Sequence, residues 1–341
     1  ILMKRLGFVA SGVPYTIRQL VDIAKKAENA GFESVWVAED YYAREGVSAL
    51  ACYAYNTTKI KIGTAILNPY TRHPVNLALT MATLDELSGG RMILGLGAGF
   101  PPIIQQMTDY YSPLTTIRET AQLVRELYSK KTVKFEGKAT KAIDISLGVC
   151  PYLTPLGTFE IPRNDIPIYI GSMGPKMLEM AGEVGDGLLI SAGYSVAHSQ
   201  DSIERAKVGV NKVGKDFANY DVAGLIASAV SSDGTFDNGI RGMIASMLSA
   251  FLNDEQIALS GFTTEDTNEL KTAFNKGGWQ AAAPLVTSEM MNAFAAAGTV
   301  DQVVDRLVEY EKAGVKLPLL FLMGGSSDLM IEAGRQYIES T

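Results

Sequence analysis

Short apolar runs alternate along this chain with longer amphipathic stretches, and the alternation predicts a succession of strands and helices. Leu6 to Ala10 predicts a first strand. It is followed by a helix from about Ile17 to Ala30, whose apolar positions Leu20, Ile23, Ala24 and Ala27 share one face and which Gly31 stops. Ser34 to Ala38, Lys59 to Ala65 and Met92 to Leu96 predict three further strands, each separated by a helix-sized interval. In the third, Ile60 and Ile62 alternate with lysines, Asn68-Pro69 ends the run, and Pro74 suits the first turn of a helix from Val75 to Leu87. A helix over Thr115 to Tyr128 follows.

The period then breaks between residues 132 and 167, where short β-like pieces and turn residues predict an insertion. It resumes with strands at Ile168 to Ile170, Leu188 to Ile190 and Val222 to Ser228, separated by helices beginning near Pro175 and Ser195. A long helical region over residues 238–297, a helix from Val300 to Ala313 and a last strand at Pro318 to Met323 complete the chain. Eight strands with helices between them predict a (β/α)8 TIM barrel with two insertions, in one enlarged domain spanning residues 1–341, ahead of a doubly wound open sheet.

Composition narrows the functional classes. With 341 residues, 47% hydrophobic and 20% charged, the chain can bury a large core. The longest apolar runs, such as Leu317 to Met323, are too short to span a bilayer, and no signal-peptide order appears at the start, so a cytoplasmic protein without a membrane partner is expected. A net charge of −7 argues against a nucleic-acid partner. Cys52 and Cys150 are too few for a disulfide framework, and their apolar contexts favour buried thiols. His73 and His198 are the only histidines, which excludes a histidine-rich metal centre; no metal is expected. His73 is expected at a helix start or in a loop rather than as a catalyst. Nucleophile elbows and Walker loops are missing.

In a barrel of this kind, chemistry sits just after the strands. Glu39-Asp40 follow the second strand, where a carboxyl in an apolar pocket would have the raised pKa a proton donor needs; a capping or solvated role is the alternative. Gly95-Leu96-Gly97-Ala98-Gly99 follows the fourth, but its third glycine is displaced from a dinucleotide fingerprint. Gly97, Ala98 and Gly99 would instead let a flat ring approach the backbone. Gly171, Ser172, Met173, Gly174, Pro175 and Lys176 combine a glycine turn, a proline at the helix start and a cation, which together predict an anion site suited to phosphate. Ser191, after the next strand, could line the same pocket.

These residues carry a resemblance. Trp36-Val37-Ala38-Glu39-Asp40, Asn68 to Pro74, Leu84 to Arg91, Gly95 to Gly99 and Gly171 to Asp186 resemble the bacterial luciferase-like superfamily, and within it the methylenetetrahydromethanopterin reductases and related deazaflavin-dependent oxidoreductases. Phe274 to Trp279, Val286 to Met290 and Gly298-Thr299 extend the likeness through nearly the whole chain. The resemblance implies a barrel that binds coenzyme F420 at its strand ends and transfers a hydride to or from a small-molecule substrate. FMN-dependent monooxygenation or oxidoreduction is the alternative, and a non-catalytic flavin-binding protein the third.

The resemblance further implies a cis Ala65-Ile66 peptide bulging behind the ring, Asn68 orienting it, phosphate near Gly174 to Lys176, and a homodimer or higher homo-oligomer. Two positions depart from the family pattern. Asp40 stands where a histidine is usual, and Phe100 where the reductase has an acidic residue.

Overall fold

The computed structural model describes residues 4–235 and 238–340. Its main sheet contains β1 (Gly7–Ala10), β2 (Ser34–Val37), β3 (Lys61–Thr64) and β4 (Met92–Gly97). After a two-stranded hairpin of β5 (Val133–Glu136) and β6 (Lys141–Ile145), the sheet continues with β7 (Ile168–Ser172), β8 (Gly187–Ile190) and β9 (Asp221–Val230). The short β10 (Ala296–Gly298) and the final β11 (Leu317–Gly325) complete it. The order β9-β11-β1-β2-β3-β4-β7-β8 returns to β9 through a further parallel ladder, so eight strands close a parallel barrel. β10 extends only the far end of β9, and sequence periodicity did not predict it.

The barrel strands are buried along both faces because helices cover the outside and side chains fill the inside. Trp36 stands inside, buried beside Tyr169 with ring centroids 5.8 Å apart, and its indole N–H donates to Ser34 Oγ at 2.8 Å. A Cβ on Gly63 would lie 2.2 Å from the Trp36 ring, so the neighbouring strand β3 is glycine where the indole passes. Val9, Ile93, Leu189, Leu317 and Leu319 complete this inner packing. At the N-terminal end of the barrel, the Arg5 guanidinium forks onto Glu33 at 2.6 and 2.9 Å and onto Asp221 at 2.8 Å, and Lys61 adds a second contact to Glu33. This network closes the barrel floor.

Local signals explain where several helices start and stop. Thr16 and Gln19 form a capping box ahead of Ile17–Asn29, and His73 caps Pro74–Ser88 with Nδ1 accepting from the Val75 N–H. Gly89, in the left-handed region at φ 70°, ends that helix. The predicted helical region at residues 238–297 is divided: Asn238–Ser246, a π-turn Met247–Phe251, Asp254–Leu259, Thr264–Ala282 and Ser288–Phe294. Fresh capping boxes at Asn253 and Thr263 restart the chain, and the Gly277-Gly278 pair kinks the longest piece. Among the described residues, no helix is long and apolar enough to cross a membrane and no cluster could hold a metal ion. Cys150 is exposed and Cys52 half-buried, contrary to the expectation of buried thiols, because the irregular insertion leaves Cys150 uncovered.

Candidate active site

At the C-terminal ends of the strands the barrel opens into a cavity of about 510 Å3. Its apolar base comes from Leu189 and Leu225, which alternate into the barrel from β8 and β9. Above them Ala65 and Ile66 project from the end of β3, and the bond between them is cis. Ile66 is seated between two glycines. A Cβ on Gly97 would lie 2.9 Å from Ile66 Cγ1, and one on Gly171 would lie 2.8 Å from Ile66 Cγ2. Both glycines line the cavity, but the space they vacate belongs to Ile66, whereas sequence reasoning reserved it for a ring at Gly97 and for an anion-binding turn at Gly171.

Glu39, Ala98, Gly99, Ser172, Met173, Gly174 and Ser191 also line the cavity, so most of the sequence candidates converge there. Four do not. Asp40 turns back to the β1 end, accepting from Ser11 Oγ at 3.1 Å and from the Gly12 N–H. Asn68 is buried beneath its own loop: Oδ1 accepts from the N–H groups of Tyr70 and Thr71 and from the Thr71 hydroxyl, while Nδ2 has no partner. It shapes the loop from below. Pro175 and Lys176 lie on the exposed first turn of Pro175–Val184 and point no part of the cavity wall.

The end of the cavity at Gly174 suits a phosphate. Gly174 is the N-cap of Pro175–Val184 without a side-chain cap, Pro175 has no N–H, and the following N–H groups have no intrahelical acceptor. A Cβ on Gly174 would enter open space, and the buried Ser172 hydroxyl has no partner. The Met173 carbonyl accepts from the Tyr194 hydroxyl at 3.1 Å, and the Tyr194 hydroxyl oxygen in turn accepts from Gln256 Nε2 of the second insertion at 3.3 Å.

At the opposite side, Glu39 accepts from the Gly46 N–H at 3.3 Å and faces the Arg72 guanidinium at 3.6 Å; Arg72 also pairs with Glu45. Burial raises the Glu39 pKa, and these two contacts only partly offset it. Tyr41, which follows the Glu39-Asp40 pair in the chain and was given no role from the sequence, stands beside it with φ 47°. Its hydroxyl accepts from the Phe100 N–H at 3.1 Å, and a Cβ on Gly99 would lie 2.6 Å from that oxygen. Burial and the Glu39 charge raise the phenol's pKa, so it remains a donor at neutral pH.

The Phe100 ring packs tilted against Phe251 of the second insertion, with centroids 5.0 Å apart. Tyr110, Pro113, Met177 and Ile190 were also missed. Strand alternation could have found Leu189 and Leu225, two positions before Ser191 and two after Ala223; nothing in the loop carrying Tyr110 distinguished it.

The chain is similar to several known proteins. The 5,10-methylenetetrahydromethanopterin reductase of Archaeoglobus fulgidus is 33% identical over 299 residues, covering 85% of each chain. The solved coenzyme F420-dependent tetrahydromethanopterin reductase of Methanopyrus kandleri superposes with a TM-score of 0.86 at 28% identity, covering 98% of each chain. An F420-dependent secondary alcohol dehydrogenase, solved with an F420–acetone adduct, shares the fold with a TM-score of 0.75 at 22% identity and 98% coverage of both chains. The family model described as luciferase-like monooxygenase matches residues 4–317, and the chain belongs to that family.

Proposed function

We propose that this protein is a coenzyme F420-dependent oxidoreductase that moves a hydride between the deazaflavin and a small organic substrate. The observation that carries the reading is one cavity with Ile66 and an apolar base at its centre, a phosphate-ready helix start at one end and a proton-holding pair at the other. The named relatives favour F420 over FMN. A bound deazaflavin supplies a ring carbon that gives or accepts a hydride.

The protein's own residues provide placement and charge. Ile66, wedged between Gly97 and Gly171, gives one ring face a firm backing. Ser172 Oγ and the N–H groups after Gly174 receive the phosphate and use donors that otherwise have no partner. Glu39 holds a proton on its carboxyl at higher pH than an exposed glutamate, and the Tyr41 hydroxyl keeps a proton to donate. Phe100, next to Gly99 in the chain, puts an apolar ring packed on Phe251 at the position where the reductase pattern has a carboxylate, so no acid is supplied from there.

Titration of the cofactor-free protein with coenzyme F420 and with FMN, followed by fluorescence, tests the proposal. F420 should bind at least about tenfold more tightly. Ser172→Ala and Gly174→Val should each weaken it by about tenfold, the scale of one charge-assisted hydrogen bond. Lys176→Ala should change affinity less than about threefold, since an exposed cation contributes little. Tighter FMN binding, with oxygen consumed by the reduced protein, would overturn the assignment.

A further inference from the structure

A second cavity of about 310 Å3 lies across the Tyr110–Pro113 segment from the first: Tyr110 and Pro113 line the first, Tyr111 the second. Its walls are the loop after β3 with Pro69 and His73, the helix Pro113–Ser129 with Thr116 and Thr120, and the turn between β5 and β6. Thr120 is fully buried and its hydroxyl has no partner; the Thr140 hydroxyl, in the facing turn, is also buried without one. Two orphaned hydroxyls on one cavity call for an occupant, because a buried polar group without a partner is costly.

The remaining groups specify its charge. Lys138 and Lys141 line the cavity, and the ion pair on the hairpin is formed by Lys134 and Glu136 instead. His73 accepts through Nδ1 from Val75, which leaves the Nε2 proton as a donor. The nearby carboxylate, Glu119, accepts from the N–H groups of Lys138, Ala139 and Thr140 at 2.8, 2.8 and 3.1 Å. Those bonds fix the turn and engage its backbone donors. The Thr116 hydroxyl donates to the Tyr111 carbonyl. What remains available is two ammonium groups, an imidazole N–H and two hydroxyls.

We propose that this second cavity binds a small oxyanion, a phosphate or carboxylate group, between Lys138, Lys141, His73 and the hydroxyls of Thr120 and Thr140. The site is separate from the one assigned to the cofactor phosphate and does not depend on that assignment.

Inorganic phosphate and malonate are titrated separately into the protein carrying ¹³C-methyl threonine, followed by NMR. Saturable shifts of the Thr120 and Thr140 methyls are expected with either ion. In the Lys138→Ala/Lys141→Ala variant, both exposed positions, the dissociation constant should rise at least tenfold with the melting temperature unchanged. Thr120→Val should fold and bind more weakly while leaving the ion-free protein as stable as before.

Repeating the titration with coenzyme F420 bound separates two sources of the anion. Unchanged affinity supports a free ion, and loss of the shifts supports the acidic end of a molecule reaching across from the first cavity; either keeps the site. Absence of saturable shifts, or the same affinity in the double lysine variant, would overturn it.

Discussion

Replacing Gly171 by Ala tests the seat of Ile66 directly. The new Cβ would lie 2.8 Å from Ile66 Cγ2, while its other neighbours, the Leu96 carbonyl and Ile66 Cβ, are at 3.8 and 4.0 Å. A single methyl group therefore stands in the way. Forcing a methyl into a packed contact costs about 1–3 kcal/mol, so Gly171→Ala alone should destabilise by that amount and push Ile66 toward the cavity. Ile66→Ala alone removes three carbons from a half-buried side chain, at most about 2.4 kcal/mol at roughly 0.8 kcal/mol per buried methylene.

In the double variant the obstruction is gone, and alanine in a strand is about 0.5–1 kcal/mol better than glycine. The second substitution should then cost nothing or stabilise. The double-mutant cycle should accordingly give a coupling of about 1–3 kcal/mol, read from urea unfolding of all four proteins. Cofactor affinity should fall in both single variants. Additivity within about 0.5 kcal/mol would show that Gly171 does not serve Ile66, and the backing role given to that side chain would fail with it.

Three further outcomes follow from residues around the barrel. Because burial raises the Glu39 pKa, the folded protein holds that proton more tightly than the unfolded chain; the group costs stability once pH exceeds about 4.3, and the cost grows up to the raised value. Glu39→Gln should thus be more stable than the parent at pH 7 and equal to it near pH 4, while turnover falls about 100-fold; a stability gap independent of pH would contradict the burial argument.

At the barrel floor, burial pushes Glu33 and Asp221 up but the Arg5 bonds more than reverse it, so both carboxyls titrate below their usual range. Their contribution is complete above about pH 4 and is lost as pH falls through the lowered values. Arg5→Met should cost about 3 kcal/mol at neutral pH, with a gap that narrows in acid denaturation curves. Arg91 donates to the carbonyls of Ala54, Thr57 and Ile60, so Arg91→Lys should cost about 2–3 kcal/mol in chemical unfolding without altering cofactor affinity.

Much of the barrel was legible because buried parallel strands and amphipathic helices leave different periods in the chain. Strand alternation could also have marked Leu189 and Leu225 as inward-facing, although their place in the cavity needed the closed sheet to be seen. Gly97 and Gly171 were found as glycines, but their reason was not, since a requirement for space depends on the neighbour that fills it, here Ile66. Asp40 and Asn68 illustrate the opposite difficulty. Both are polar residues after strands, and only three-dimensional partners reveal that Ser11, Gly12, Tyr70 and Thr71 absorb their oxygens. The segment Leu84 to Arg91, prominent in the resemblance, is scaffold: Asp85 is fully buried, ties Arg163 at 2.9 Å and accepts from the Met92 N–H.

The network of Arg5, Glu33, Lys61 and Asp221 has a kinetic consequence. With that end locked by charge and the interior filled by Trp36 and Tyr169, the barrel axis offers the cavity no passage toward the N-terminal end. A cofactor held against Ile66, as proposed, would therefore enter and leave by way of the C-terminal ends of the strands.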